Sequence, residues 1–342
     1  MPNKPRVVLA GCGGISDAWL GSEPVKKQVD IVGLVDIRKK AAVAQAEQYG
    51  LTNAETGTDL AAMLKKVQPD VVFDCSIPEA HCEITLTALK HGCHVLGEKP
   101  MADTMANARK MVRAAEKARK LYAVMQNRRY QPSIRRLQRF LESGAIGKVT
   151  TVQSNFYIGA HFGGFRDEMQ HVLLLDMAIH SFDKARLITG QDAEAVYCHE
   201  WNPSGSWYKH GASAVAMFEM TNDIVYTYQG SWCSEGCNTS WEDDWHIIGE
   251  RGSIQWDGGE TFRCEVPKGK TGLIHTQRER KVPKGYPKQL TGGHAGPIAE
   301  FIRCMQNGGT PETICTDNIK SLAMVHGAVR SATQKRRVHI TL

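Results

Sequence analysis

No apolar run in this chain approaches the roughly 20 residues needed to cross a bilayer, which excludes a helical membrane span from the expected plan. Residues 1–6 lead directly into the strand-like Val7-Val8-Leu9-Ala10, with no apolar leader, so a cytoplasmic protein is expected. The ten cysteines are scattered. Only Cys233 and Cys237 stand close together, and no second pair completes a zinc-ligand pattern; reduced thiols and no metal are expected. Internal repeats and low-complexity segments are absent. So is a basic stripe: 42 basic against 36 acidic residues give +6. The basic residues are spread out apart from short clusters such as Arg128-Arg129, Arg135-Arg136 and Lys335-Arg336-Arg337. No nucleic-acid partner is expected from that distribution. The mild positive balance fits a solvated surface, or a field that attracts an anionic cofactor or substrate.

What remains is an ordinary folded composition, 42% hydrophobic and 23% charged, over 342 residues, a length that suggests two domains. The first third alternates short apolar β-rich runs with helical patterns. Strands are predicted over 6–10, 31–35, 71–75, 93–97 and 121–125, and helices over 37–49, 58–66, 81–91 and 103–119. That alternation means a parallel sheet wound by right-handed crossovers, a Rossmann-type half. After Tyr130 the texture changes. A helix over 133–143 is followed by long strands over 149–158, 193–201, 212–220, 224–232, 245–249, 252–256 and 261–266. Thr221-Asn222-Asp223 reads as a hairpin tip. Two late helices and a short strand over 338–342 close the chain. The expected fold class is α/β: a Rossmann domain over 1–126, then an α+β domain over 127–342 with a large, mainly antiparallel open sheet.

Four motifs carry chemistry. Gly11-Cys12-Gly13-Gly14-Ile15-Ser16 follows the first strand and opens a helix. Small residues there permit a tight turn, close backbone approach to a pyrophosphate, and close helix packing; Ser16 replaces glycine at the packing position. Free N–H groups at the helix start would face the phosphates. As a mere strand-to-helix turn the hexamer would say little. Asp36 ends the second strand, where a carboxylate accepts both ribose hydroxyls and repels a 2′-phosphate, or else caps the helix beginning at Ile37. NAD is therefore expected over NADP, with use of both left open by Arg38 and Lys39.

Glu98-Lys99-Pro100 follows the fourth of the predicted strands, at the carboxyl edge where ligands of such sheets bind. The Lys99 ammonium there could stabilise a developing alkoxide, or simply be a surface lysine. Asp176 and His180 stand one helical turn apart, with Asp183 further along the stripe. An imidazole oriented by a carboxylate exchanges protons near neutrality, although such pairs also occur as plain surface contacts.

In order, the 11–16 turn, Asp36, Cys75-Ser76-Ile77-Pro78 with His81, Glu98-Lys99-Pro100, Asn127-Arg128-Arg129-Tyr130, 144–147 and 176–183 resemble the Gfo/Idh/MocA family of nicotinamide-dependent oxidoreductases over nearly the whole chain. The resemblance implies that Lys99 is the active-site lysine and that Asp176 and His180 complete a proton relay. It places Gly11, Cys12, Gly13, Gly14, Ile15, Ser16, Asp36, Ile37, Arg38, Cys75, Ser76, Pro78, His81, Glu98, Lys99 and Asn127 along the cofactor, and Arg128 and Tyr157 with Lys99, Asp176 and His180 on the substrate side. It transfers no role to 159–164 or to the tryptophan-rich 232–245. It also implies a homodimer or homotetramer through the second sheet.

The activity so implied moves a hydride between NAD and a CH–OH group of a sugar, inositol-like polyol or glycoside. It requires Lys99 and His180 to converge beside the nicotinamide. The rivals are a glycosidase working by transient oxidation, which would release no reduced cofactor, and a non-catalytic cofactor-binding regulator. The retained Lys99, Asp176 and His180 favour the dehydrogenase.

Overall fold

The computed structural model describes residues 4–285 and 292–342, so the first three residues of the supposed leaderless start lie outside it. The chain divides into two compact units: Met1–Asn127 with Thr291–Leu322, and Arg128–Leu290 with Ala323–Leu342.

The first unit alternates β1 (Arg6–Ala10), α1 (Ser16–Leu20), α2 (Glu23–Gln28), β2 (Asp30–Val35), α3 (Lys39–Gln48), β3 (Glu55–Gly57), α4 (Leu60–Val67), β4 (Val71–Asp74), α5 (Pro78–Lys90), β5 (His94–Gly97), α6 (Met105–Ala118) and β6 (Tyr122–Val124). All neighbouring strands are parallel, in the order β3-β2-β1-β4-β5-β6. The strands read as continuous apolar runs because helices cover both faces; Val7, Val8, Leu9 and Val72 have no exposed surface at all. Helix starts follow local chemistry. Asp59 accepts the Ala62 N–H at 3.0 Å and Thr104 accepts the Asn107 N–H at 3.2 Å. Between β1 and β4 the winding reverses direction, and the carboxyl ends of strands at such a reversal are where ligands of doubly wound sheets bind.

Against the second domain of 127–342 expected from sequence, the described residues 292–322 group with the first unit. A late helix, Ala295–Asn307, returns to the first: Ile298, Phe301 and Ile302 join Leu9, Trp19 and Phe73 in one buried cluster. Their apolar face is wide enough to need a hydrophobic partner, and the Rossmann core supplies it.

The second unit begins with α7 (Pro132–Glu142), β7 (Val149–Tyr157) and a short α8 (Phe165–Glu168). A π-helical segment, Leu173–Ala178, then runs into α9 (Ile179–Thr189). The remaining strands are β8 (Ala193–Trp201), β9 (Ser213–Met220), β10 (Ile224–Ser231), β11 (Asp244–Gly249), β12 (Gly252–Trp256), β13 (Phe262–Pro267), β14 (Gln277–Glu279) and β15 (Val338–His339). They form a nine-stranded sheet, antiparallel except where β10 runs parallel to β7. At the predicted hairpin tip Asn222 takes a left-handed φ of 60°. One face is covered by α9, whose Phe182 lies against Phe218, Tyr226 and Tyr228 at 4.7, 6.2 and 5.3 Å. No helix among the described residues is long and apolar enough to cross a membrane.

Candidate active site and cofactor cradle

In the first unit, the loops after β1, β2, β4 and β5 are wired together by hydrogen bonds. Gly11 has φ +92°, and a Cβ there would lie 2.6 Å from the Cys75 carbonyl and the Ser76 nitrogen. Only glycine lets the first loop seat against the one after β4. Gly13 and Gly14 differ: a Cβ on either would meet nothing within 4 Å. Nothing in the protein demands their missing side chains, and the space beside them is open. Ser16 turns back and donates its Oγ proton to the Gly13 carbonyl at 2.6 Å, and it is fully buried. The helix it opens, α1, is only five residues long.

Asp36 is buried at the end of β2. Its Oδ2 accepts the Cys12 N–H at 2.9 Å and its Oδ1 accepts the Arg38 N–H at 2.8 Å. The cap of α3 is Arg38 rather than Asp36, because that helix begins at Lys39. Four lone-pair positions leave the carboxylate capacity for ribose hydroxyls. Burial, with the Asp36 charge adding to it, pushes the Cys12 thiol up to about 12, so it acts as a small apolar side chain. Ile15, Ile37 and Ile77, at the carboxyl ends of three adjacent strands, are 41, 91 and 61% exposed. Apolar side chains left open beside a glycine cradle and a buried carboxylate fit a dinucleotide with its flat adenine.

Three predicted cofactor residues, His81, Glu98 and Cys75, are buried in the first unit. His81 is buried, its Nδ1 2.9 Å from Asp74 Oδ2, while Asp74 Oδ1 accepts both the N–H and the hydroxyl of Ser76. Burial alone would lower the His81 pKa; Asp74, helped by Glu98 and Glu79, outweighs it and raises it. Glu98 is also buried: its Oε1 accepts from the Trp19 indole at 2.7 Å and lies 3.1 Å from His294 Nε2, and its Oε2 accepts the Lys99 N–H at 3.1 Å. Glu98 thereby fixes the turn that carries Lys99, whose bond to Pro100 is cis. Cys75 is buried in the same wall, and its thiol is pushed well up by burial and by Glu98 and Asp74. Ser76, Pro78, Lys99 and Asn127 are half-buried, at the edge a ligand could reach.

In the second unit Asp176 lies within the π-helical segment and His180 in the first turn of α9. Such segments concentrate at functional sites, and no sequence pattern distinguishes one from the α-helix assumed for this motif. His180 is 5% exposed. Asp176 Oδ2 accepts from Arg166 Nε at 2.6 Å. Asp183, one turn beyond His180 on α9, pairs with Arg129, whose Nε donates to its Oδ2 at 2.8 Å in a buried pair. Arg128 lies on a Trp241 ring, hydrogen-bonds that residue's carbonyl, and reaches Glu242 Oε1 at 3.2 Å and Met177 Sδ at 3.7 Å. Beneath it, fully buried Lys184 pairs with Glu242 and Asp243. Tyr157 alternates with Gln153 and Asn155, on the sheet face opposite the one α9 covers, because its strand register gives it no other side.

Asp74, Trp19, His294 and Arg166 carry much of this wiring and were not singled out from sequence. Asp74 alone had a signal, a carboxylate ending an apolar strand; the others depend on contacts between distant segments. Among the described residues no group of three or more histidine, cysteine or carboxylate side chains could hold a metal.

The comparisons with known proteins agree with this architecture. Residues 5–126 match the model of the oxidoreductase family with an NAD-binding Rossmann fold, and residues 134–255 match the Gfo/Idh/MocA C-terminal domain. The chain belongs to the Gfo/Idh/MocA family of oxidoreductases, and its first unit is an NAD-binding Rossmann domain. It is 35% identical to D-glucoside 3-dehydrogenase of Escherichia coli over 59% of this chain and 59% of that one. Identity to myo-inositol 2-dehydrogenase of Thermotoga maritima is 26%, over 98% of both. An oxidoreductase from Agrobacterium radiobacter, crystallised with NAD+, L-tartaric acid and magnesium, shares the fold with a TM-score of 0.85 at 23% identity over 99% of both chains.

Proposed function

We propose that the protein is a dehydrogenase that uses NAD, with NADP as a poorer alternative, to oxidise a CH–OH group of a sugar, polyol or glycoside, or to reduce the corresponding carbonyl. The observation that carries the reading is the setting of His180: nearly buried, one turn beyond a carboxylate held in a π-helical segment, on a chain that also builds a glycine cradle and a buried ribose carboxylate. The sugar and inositol dehydrogenases among its relatives support the substrate class.

Gly13 and Gly14 would admit the pyrophosphate, Asp36 would hold the adenosine ribose, and Ile37 and Ile77 would flank the adenine. The nicotinamide, when bound, accepts or returns the hydride. In the oxidative direction His180 takes the substrate hydroxyl proton. The Asp176 charge favours the imidazolium so formed, and the Lys99 ammonium stabilises oxygen as it becomes alkoxide. Glu98, Asp74 and His81 position these loops without touching the substrate. The uncovered face of the second sheet, where Tyr197, Trp201, Val215 and Met217 are 47, 38, 41 and 43% exposed, is proposed as the contact between copies in a homodimer or homotetramer.

A panel of sugars, polyols and glycosides assayed with NAD tests the activity. Steady accumulation of reduced cofactor is expected with at least one of them. Turnover of a glycoside with none released would mean a cycling glycosidase instead.

A further inference from the structure

Arg166 stands on α8, outside the motifs that carry the family resemblance, and its setting is specific. Gly163 and Gly164 take φ of +67° and +68°, turning the chain so that Phe162 and Phe165 both come onto one guanidinium. Their ring centroids lie 5.0 and 4.7 Å from Arg166 Cζ. The short helix is held by the Asp167 carbonyl, which accepts the Lys209 N–H at 2.8 Å, and by Glu168, paired with the Lys209 ammonium at 2.6 Å.

With Nε given to Asp176 and the planar group stacked against aromatic rings, the Nη edge remains. Among the described residues no acceptor takes an Nη proton, and the side chain keeps 30% of its surface exposed. A guanidinium fixed in this way has lost its rotamer freedom before any ligand arrives, and it offers a planar two-proton fork. The fork borders an aromatic surface: Phe162 meets Trp232 edge-on at 5.6 Å and Trp241 at 6.3 Å, with Phe162 51% and Trp241 45% exposed. Open rings suit the C–H faces of a sugar, and a fork beside them suits an oxyanion attached to it.

We propose that Arg166 binds the carboxylate of the substrate, and that the substrate class is an acidic sugar, an aldonate or a uronate, rather than a neutral one. The proposal deepens the dehydrogenase reading and rests on it for the chemistry, while the binding claim stands on the second unit's own residues. Asp176 already offsets much of the guanidinium charge, so a monoanionic carboxylate fits better than a dianionic phosphate.

The test compares D-glucuronate and D-gluconate with D-glucose and D-glucose 6-phosphate, in the presence of NAD, by titration calorimetry and by turnover. The wild type should bind at least one of the two acids about tenfold or more tighter than glucose and glucose 6-phosphate. Arg166→Gln should collapse that ratio, whatever happens to absolute rates, and Arg166→Lys should restore part of it. Equal binding of acid and neutral sugar by the wild type, preference for the phosphate, or a ratio unchanged in Arg166→Gln would each overturn the proposal. Tight, Arg166-dependent binding of an acid without turnover would sustain it and count against the dehydrogenase reading instead. Turnover of neutral sugars alone would do the reverse.

Discussion

Oδ2 of Asp36 accepts the backbone N–H of Cys12 at 2.9 Å, so the carboxylate at the end of β2 holds the glycine-rich loop after β1 in place. Asp36→Ser should act twice. It leaves buried backbone N–H groups short of an acceptor, costing about 1–3 kcal/mol of stability. It also removes the group that favours NAD while Arg38, whose Nε is 3.5 Å away, stays. The ratio of NAD to NADP affinity should fall about tenfold or more. Titration with both dinucleotides measures it; an unchanged ratio would mean that Asp36 is purely structural.

The three glycines of that loop should separate stability from binding. Gly11→Ala forces a Cβ into the left-handed region and to 2.6 Å from the Cys75 and Ser76 backbone. A loss of roughly 1–3 kcal/mol is expected from the strain. Gly13→Ala meets nothing within 4 Å, so its melting temperature should hold or rise slightly. Its NAD affinity should nonetheless drop. Wild-type NAD binding by a normally folded Gly13→Ala protein would remove that glycine from the cradle.

Much of this was legible in the chain because every strand of the first unit but β3 is a short apolar run bounded by a turn, and each helix of that unit but α1 and α2 showed its period. The three-residue β3 and β14 were not, since neither is long or apolar enough to register. The return of Ala295–Asn307 to the first unit was hidden for another reason: periodicity reveals an apolar stripe but not the core that receives it. Asp176 and His180 were singled out on α-helical spacing, whereas Asp176 lies in a π-helical segment that the spacing did not reveal. Arg166 was invisible because its significance lies in three contacts, two with rings and one with a carboxylate, rather than in a motif.

His94 should make the first unit acid-sensitive. Burial, with Lys120 adding to it, pushes its pKa from 6.5 down to about 4, against a small opposing pull from Asp70. Its Nδ1 accepts the Leu121 N–H at 3.0 Å and so must be unprotonated in the native state. A depressed pKa means the stabilisation is present above the unfolded value and is lost as pH falls through the folded one. Melting temperature should therefore decline between about pH 6.5 and 4, more steeply than in His94→Asn. Parallel curves for the two proteins would assign the acid loss elsewhere.

The outer face of the second sheet gives a test of assembly. On β8 and β9 the partners Tyr197 and Met217 stand opposite each other, with Val215 one pleat away, and the three are 47, 43 and 41% exposed. Charge placed there costs the folded monomer little, because these positions face outward. Val215→Lys with Met217→Glu should convert an oligomer to a monomer, read by light scattering. A wild-type monomer, or an oligomer indifferent to both changes, would move the contact off this face.

His180→Ala is the sharpest test of the chemistry. The imidazole belongs to the second unit, whereas the glycine cradle and Asp36 belong to the first, so removing it should leave NAD affinity near wild type. Turnover should fall by about 10²–10⁴, the usual worth of a positioned general base. Because the missing group is a proton acceptor, the residual rate should rise with pH, as hydroxide takes over the role. Small added amines or imidazole should restore part of it, which they could not do if the side chain served only to pack α9. A variant that keeps full turnover, or one whose main defect is loss of dinucleotide binding, would leave the first unit's cradle standing and strip His180 of its role.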